Sequence, residues 1–144
     1  MNCLVKSLAA ITEFSVPEIM AELGHDGSEI IWHDLPEPYC RRGFHIQELI
    51  TFCLKFGYTL TPIEPIPACI NKLTSKPFVL KDREAIFEAT LPGNIGILTG
   101  ETLKGISHAV AWDGHKIYDS NKQITSLDDF KIQCFWMLNR IISL

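Results

Sequence analysis

The chain has 144 residues, a net charge of −4 and a 47% hydrophobic composition. That length fits a single domain over residues 1–144 and can bury roughly two thirds of its unfolded surface. With no long basic run, nucleic acid is not the expected partner. No apolar run reaches the ~18 residues of a membrane span, and no charged segment followed by an apolar stretch marks a secretory signal. The five cysteines (Cys3, Cys40, Cys53, Cys69 and Cys134) are scattered and form no C-x-x-C pair. A zinc knuckle or redox motif is therefore not expected, and reduced thiols in a cytoplasmic protein are the simplest reading. A protein exported by a secretion system would look the same.

A first helix is expected from about Cys3 to Thr12, where the run is apolar and Asn2 is a good N-cap residue. Ser15-Val16-Pro17-Glu18 has the cap, the early proline and the N3 glutamate of a second helix, which Gly24 stops. From His25 to Gly43 the glycines, prolines and mixed polarity predict a long loop. Ile46, Leu49, Ile50 and Cys53 at helical spacing predict a helix from His45 to Phe56, closed by Gly57. Tyr58–Ile63 alternates as a strand would, and Pro62, Pro65 and Pro67 punctuate a linker. A helix over Lys81–Leu91, a buried strand over Ile95–Thr99, a short helix at Ser126–Phe130 and a last strand over Gln133–Ile142 complete the chain. Helices followed by an antiparallel sheet form an α+β pattern.

Between those last elements, Ile106–Trp112 and Lys116–Asp119 flank Asp113-Gly114, a strong signal for a two-residue type I′ hairpin turn. Such a turn sets Trp112 opposite His115, Val110 opposite Ile117 and His108 opposite Asp119. Facing residues share one side of the sheet, so an imidazole would lie beside a carboxylate. The face carrying Val110, Trp112 and Ile117 would be the buried one. A four-residue loop would shift the register by two and bring Asn121 opposite His108, which makes Asn121 the reserve orienting residue. Cys3, in the first turn of a helix, meets the partial positive charge of unpaired N–H groups, which favours its thiolate. A structural His–Asp pair and a cysteine packed in a core are the plainer alternatives.

The long loop holds His25, Trp32 and His33 between glycines. It could line a cleft beside Cys3, with His25 or a backbone N–H as an oxyanion donor and Trp32 as an apolar wall. The alternative is a turn stabilised by Asp26 and Ser28. A metal site from His25, Asp26 and His33 lacks tight ligand spacing, so no metal is expected. His45 reads as a cap or surface residue, and Arg41-Arg42 as a basic spot able to meet a carboxylate partner.

Three short segments resemble the papain-like cysteine peptidase superfamily: Asn2-Cys3-Leu4 with Leu8-Ala9-Ala10, then Ser107-His108-Ala109-Val110-Ala111, then Ile117-Tyr118-Asp119. The likeness is closest to the compact bacterial members related to bacteriocin-leader-processing peptidases. It covers both ends of the chain in outline and keeps the order Cys, His, Asp. It implies N-terminal helices, with the nucleophile opening the first, packed on a C-terminal antiparallel sheet. It further implies a thiol hydrolase of bacterial or phage origin, acting on a protein or peptide substrate through Cys3, His108 and Asp119 and needing no cofactor. Members of that family place a glutamine a short way upstream of the cysteine to bind the oxyanion. Here only Met1 and Asn2 precede Cys3, so the hole is expected to use the Cys3 backbone N–H and a donor from elsewhere, with Asn2 and His25 as candidates, or to be incomplete. An inactive papain-like binding or adaptor protein and a transglutaminase or deamidase are the alternative readings.

Overall fold

The computed structural model describes residues 2–65, 69–78 and 81–142. Three helices open the chain. The first, α1 (Cys3–Ile11), has Asn2 at its N-cap position, but the Asn2 side chain makes no cap hydrogen bond. The second, α2 (Val16–Leu23), starts as its sequence dictates: Ser15 Oγ accepts the Glu18 N–H at 3.2 Å and donates to Glu18 Oε1 at 3.0 Å. Gly24, at φ +81°, ends it in the left-handed conformation that glycine adopts without a Cβ penalty. The third, α3 (Ile46–Lys55), is capped by His45, whose Nδ1 accepts the Gln47 N–H while Glu48 Oε1 accepts the His45 N–H. His45 is thus a capping residue, one of the two roles its sequence position suggested.

After α3 come β1 (Tyr58–Ile63), a small hairpin of β2 (Cys69–Ile70) and β3 (Pro77–Phe78), and α4 (Arg83–Thr90). Then follow β4 (Gly96–Thr102), β5 (Ser107–Trp112), β6 (Ile117–Tyr118), a 3-10 turn at Leu127–Asp129 and β7 (Phe130–Arg140). The fold is α+β. Five antiparallel strands in the order β1-β7-β4-β5-β6 form the main sheet. Pro62 belongs to β1 rather than to the linker, opposite Trp136; β1 is an edge strand, where a missing N–H is tolerated. Pro67 lies outside the described residues.

Both faces of the sheet are covered. On one, Ile97, Ala109, Tyr58 and Leu60 pack with Val5, Leu8, Ile19, Leu49 and Phe52 of the three helices. On the other, Leu98, Val110, Trp112, Phe130 and Phe135 pack with Phe87, Leu91 and Ile124. The expectation of one buried face on the hairpin is therefore corrected. Every residue from His108 to Trp112 is buried, and the small Ala109 and Ala111 let the helical layer lie close on β5. Opposite Thr99 and Gly100, β7 inserts an extra residue, because Thr99 pairs with Cys134 and Gly100 with Ile132. Gly100 permits that approach: a Cβ there would lie 2.0 Å from the Lys131 carbonyl oxygen.

The hairpin turn also departs from expectation. Ala111 pairs with Tyr118 and Trp112 with Ile117, which leaves four residues, 113–116, in the loop and shifts the register by two. Asp113 Oδ1 accepts the N–H groups of both His115 and Lys116 at 2.8 Å. This side-chain closure stabilises the wider turn, and of the Asp113-Gly114 pair only Gly114 has a positive φ, +98°. Among the described residues, no helix is long and apolar enough to cross a membrane.

Candidate active site

The site forms where α1 meets the outer edge of β5. β6 pairs only with Ala111 and Trp112, so among the described residues the edge of β5 from Ser107 to Val110 has no strand beside it. Cys3, at the first position of α1, occupies that edge. The His108 side chain and the Ala109 N–H are near enough to its thiol to lower the thiol pKa. The helix start is tied down locally, since Lys6 N–H donates to the Asn2 carbonyl at 2.9 Å and the buried Ser7 hydroxyl to the Cys3 carbonyl at 2.6 Å. Cys3 packs with the core on the helical side of the sheet, whereas strand alternation puts His108 on the side of Val110 and Trp112. Sulfur and ring therefore meet around the open edge. Gly100 is the partner of His108 across the β4 ladder, so no side chain from that residue competes for the ring's space.

Asp119 reaches the ring although it is not opposite His108 in the ladder. The chain leaves β6 after Tyr118 and turns inward, placing Asp119 Oδ2 3.0 Å from His108 Nε2. The same oxygen accepts the N–H groups of Gln123 (3.1 Å) and Ile124 (3.0 Å), and Oδ1 accepts that of Asn121 (3.1 Å). Asn121 thus serves through its backbone, holding the acid; the observed register that would have put it opposite His108 instead leaves Asp119 as the ring's partner. The His108 and Asp119 side chains are only 6% and 1% exposed. Phe130 adds an aromatic edge contact to the ring, at 6.4 Å between centroids and 84°. These supporting groups are not evident from motifs. The turn-rich Asp119-Ser120-Asn121-Lys122 was the available signal that the strand stops before Asp119.

With Nε2 committed to Asp119, Nδ1 is the ring nitrogen left for sulfur. Burial opposes ionisation of Cys3, yet the hydrogen bond from His108, the Ala109 N–H and the charge of His108 together hold its thiol below the ordinary range. The hydrogen bond to Cys3 raises His108, burial opposes the shift, and Asp119 reinforces it. For Asp119, burial again opposes ionisation, but His108 and the Ile124 and Asn121 N–H groups hold the carboxyl below its usual range. Three other cysteines behave oppositely: burial pushes Cys53 up to about 12 and Cys134 up to about 11, and Cys40 is raised by burial and by Glu37. Among these four thiols, only that of Cys3 is shifted toward thiolate.

His25 is not available as an oxyanion donor, which corrects that expectation. Its Nε2 lies 2.6 Å from Glu48 Oε2 and its Nδ1 accepts the Gly27 N–H at 3.0 Å, while the ring stacks on Phe44 with centroids 4.7 Å apart. It anchors the long loop to α3. Asp26 accepts the backbone N–H and the hydroxyl of Ser28, the turn role foreseen as the alternative. Arg41 pairs with Glu37 at 2.8 Å, and Arg42 approaches Glu29 (3.9 Å) and Glu48 of α3 (3.8 Å), so the basic spot faces carboxylates of the loop and of α3. Trp32 is 56% exposed on that loop. No protein-family model, no curated protein and no solved structure matches this chain.

Proposed function

We propose that the chain is a papain-like thiol hydrolase that cleaves a peptide, isopeptide or side-chain amide bond. The observation that carries this reading is a buried His108 imidazole 3.0 Å from a carboxylate pinned by three backbone N–H groups, with the Cys3 thiol at a helix start lowered in pKa by that same ring. In the resting state the Cys3 proton resides on His108, giving a thiolate–imidazolium pair. The thiolate attacks the carbonyl carbon. As the C–N bond breaks, His108 gives its proton to the departing amine and a thioester remains on Cys3. His108, neutral again, takes a proton from water as the water oxygen attacks the thioester. The C–S bond then breaks and the pair is restored. Asp119 keeps the Nε2–H tautomer and stabilises the imidazolium. The Cys3 backbone N–H supplies one oxyanion donor, and the Asn2 amide, which makes no cap bond, supplies the second. The substrate is a protein or peptide, and the setting is cytoplasmic.

One feature favours a second reading, a binding protein that keeps this fold without turnover: His25, a candidate oxyanion donor, has both ring nitrogens engaged. An activated ester separates the two. With p-nitrophenyl acetate, the hydrolase reading expects a stoichiometric burst followed by steady turnover, both lost in Cys3→Ala. A burst that stalls as a stable acyl-Cys3 supports the binding protein, and a wild-type trace identical to Cys3→Ala refutes the triad. Mass analysis of cleaved or modified protein substrates distinguishes hydrolysis of the chain from deamidation or amide transfer, which leaves the backbone whole.

A further inference from the structure

The face of the sheet remote from α1 carries a groove that the proposed chemistry does not use. It encloses about 410 Å³ between α4, the 3-10 turn and the strands. Its floor is apolar, built from Leu91, Trp112, Phe130 and Ile132. Its rim is acidic: Glu84 and Glu88, one turn apart on α4, stand on one side and Asp128 on the other. All three carboxylate residues are exposed. Among the described residues, none of them has a cation within ion-pair distance, although the acids of the long loop and of α3 do.

We propose that this groove docks a basic segment of a partner protein, by receiving lysine or arginine side chains interspersed with apolar ones. Such side chains are amphipathic: the aliphatic stem covers apolar surface while the charged head stays at the wet rim. Three carboxylates without a cation repel one another, and a bound cation removes that repulsion. The same charge disfavours an anionic lipid surface or a nucleic acid. A second copy of the chain is the competing occupant, since its exposed Ile70, Lys72, Leu73 and Lys76 also mix basic and apolar side chains; a dimer in sedimentation that Glu84→Gln with Glu88→Gln dissociates would overturn the assignment to a partner protein. The groove and the thiol are separate, though Phe130 both floors the groove and packs against the His108 ring.

The Trp112 indole N–H, which donates to the Leu91 carbonyl at 2.8 Å, is a resonance inside the groove. The test titrates the full chain with a capped hexapeptide of alternating arginine and leucine and with its glutamate–leucine counterpart, following amide and indole N–H resonances. The expected result is a saturable shift of the Trp112 indole and of α4 amides with the basic peptide alone, weakened by salt and unchanged in Cys3→Ala. Glu84→Gln with Glu88→Gln should weaken binding about fivefold or more, from two lost ion pairs at the groove rim. Equal binding of the acidic peptide, undiminished binding by the double variant, shifts confined to another surface, or no shift at all would each overturn the proposal. Because Cys3→Ala lacks the thiol, failure here is distinguishable from failure of the hydrolase reading.

Discussion

Replacing Asp119 by alanine removes the acceptor of four hydrogen bonds, from His108 Nε2 and from the N–H groups of Asn121, Gln123 and Ile124. Asn121 and Gln123 are exposed, so their N–H groups find water; His108 and Ile124 are buried. Two buried donors left without acceptors cost about 1–3 kcal/mol each, so Asp119→Ala should lose about 2–6 kcal/mol in urea denaturation at neutral pH. Asp119→Asn should lose about 2 kcal/mol, since an amide oxygen in the Oδ2 position keeps three bonds but its NH₂ confronts the Asn121 N–H. The pH dependence has a defined sign. The folded state depresses the Asp119 pKa, so its contribution is fully present above the unfolded carboxyl value of about 3.9 and disappears as pH falls through the lower folded value. The stability gap between wild type and Asp119→Asn should therefore narrow below about pH 4, and the part that acts through protonated His108, whose pKa Asp119 helps raise, should fade as pH rises above the ordinary imidazole value of about 6.5. A loss under about 1 kcal/mol for alanine, or a gap that does not narrow in acid, would refute this account of the carboxylate.

Gly100→Ala should destabilise by about 3 kcal/mol or more, read from the denaturation midpoint, because the new Cβ would sit 2.0 Å from a backbone oxygen that cannot move without breaking the ladder. His25→Ala should speed proteolytic nicking of the 25–43 loop by removing its tie to Glu48, while the rate of Cys3 alkylation stays within about twofold of wild type; a large drop in alkylation would return His25 to the site. Among the other cysteines, Cys53 and Cys134 should resist iodoacetamide near pH 7 in native protein, as their raised pKa values of about 12 and about 11 require, and mass mapping of the modified chain checks this.

The helices are legible in the sequence because their signals are local. Ser15 with Glu18, and the glycine at position 24, lie within one turn of the elements they cap. Cys3 and His108 were legible because residue type and position, at a helix start and on an apolar strand, already restrict the chemistry. Asp119 was selected through a register off by two; the acid meets the ring only because the chain leaves β6 and folds inward. That path depends on three backbone N–H groups, which side-chain patterns do not encode. His25 was misjudged because its partner Glu48 lies 23 positions away. The β2–β3 hairpin has two-residue strands, too short for any periodicity, and the role of Gly100 depends on a bulge in a strand thirty-odd residues later.

The central claim is that Cys3 and His108 share a proton as a thiolate–imidazolium pair. The most direct measurement is the thiolate ultraviolet absorbance of wild type minus Cys3→Ser across pH, repeated in a His108→Ala background. The account predicts that the difference signal rises with a midpoint well below the ordinary thiol value of about 8.5 and that His108→Ala moves the midpoint upward. A midpoint at or above the ordinary value, or one indifferent to His108, would contradict it.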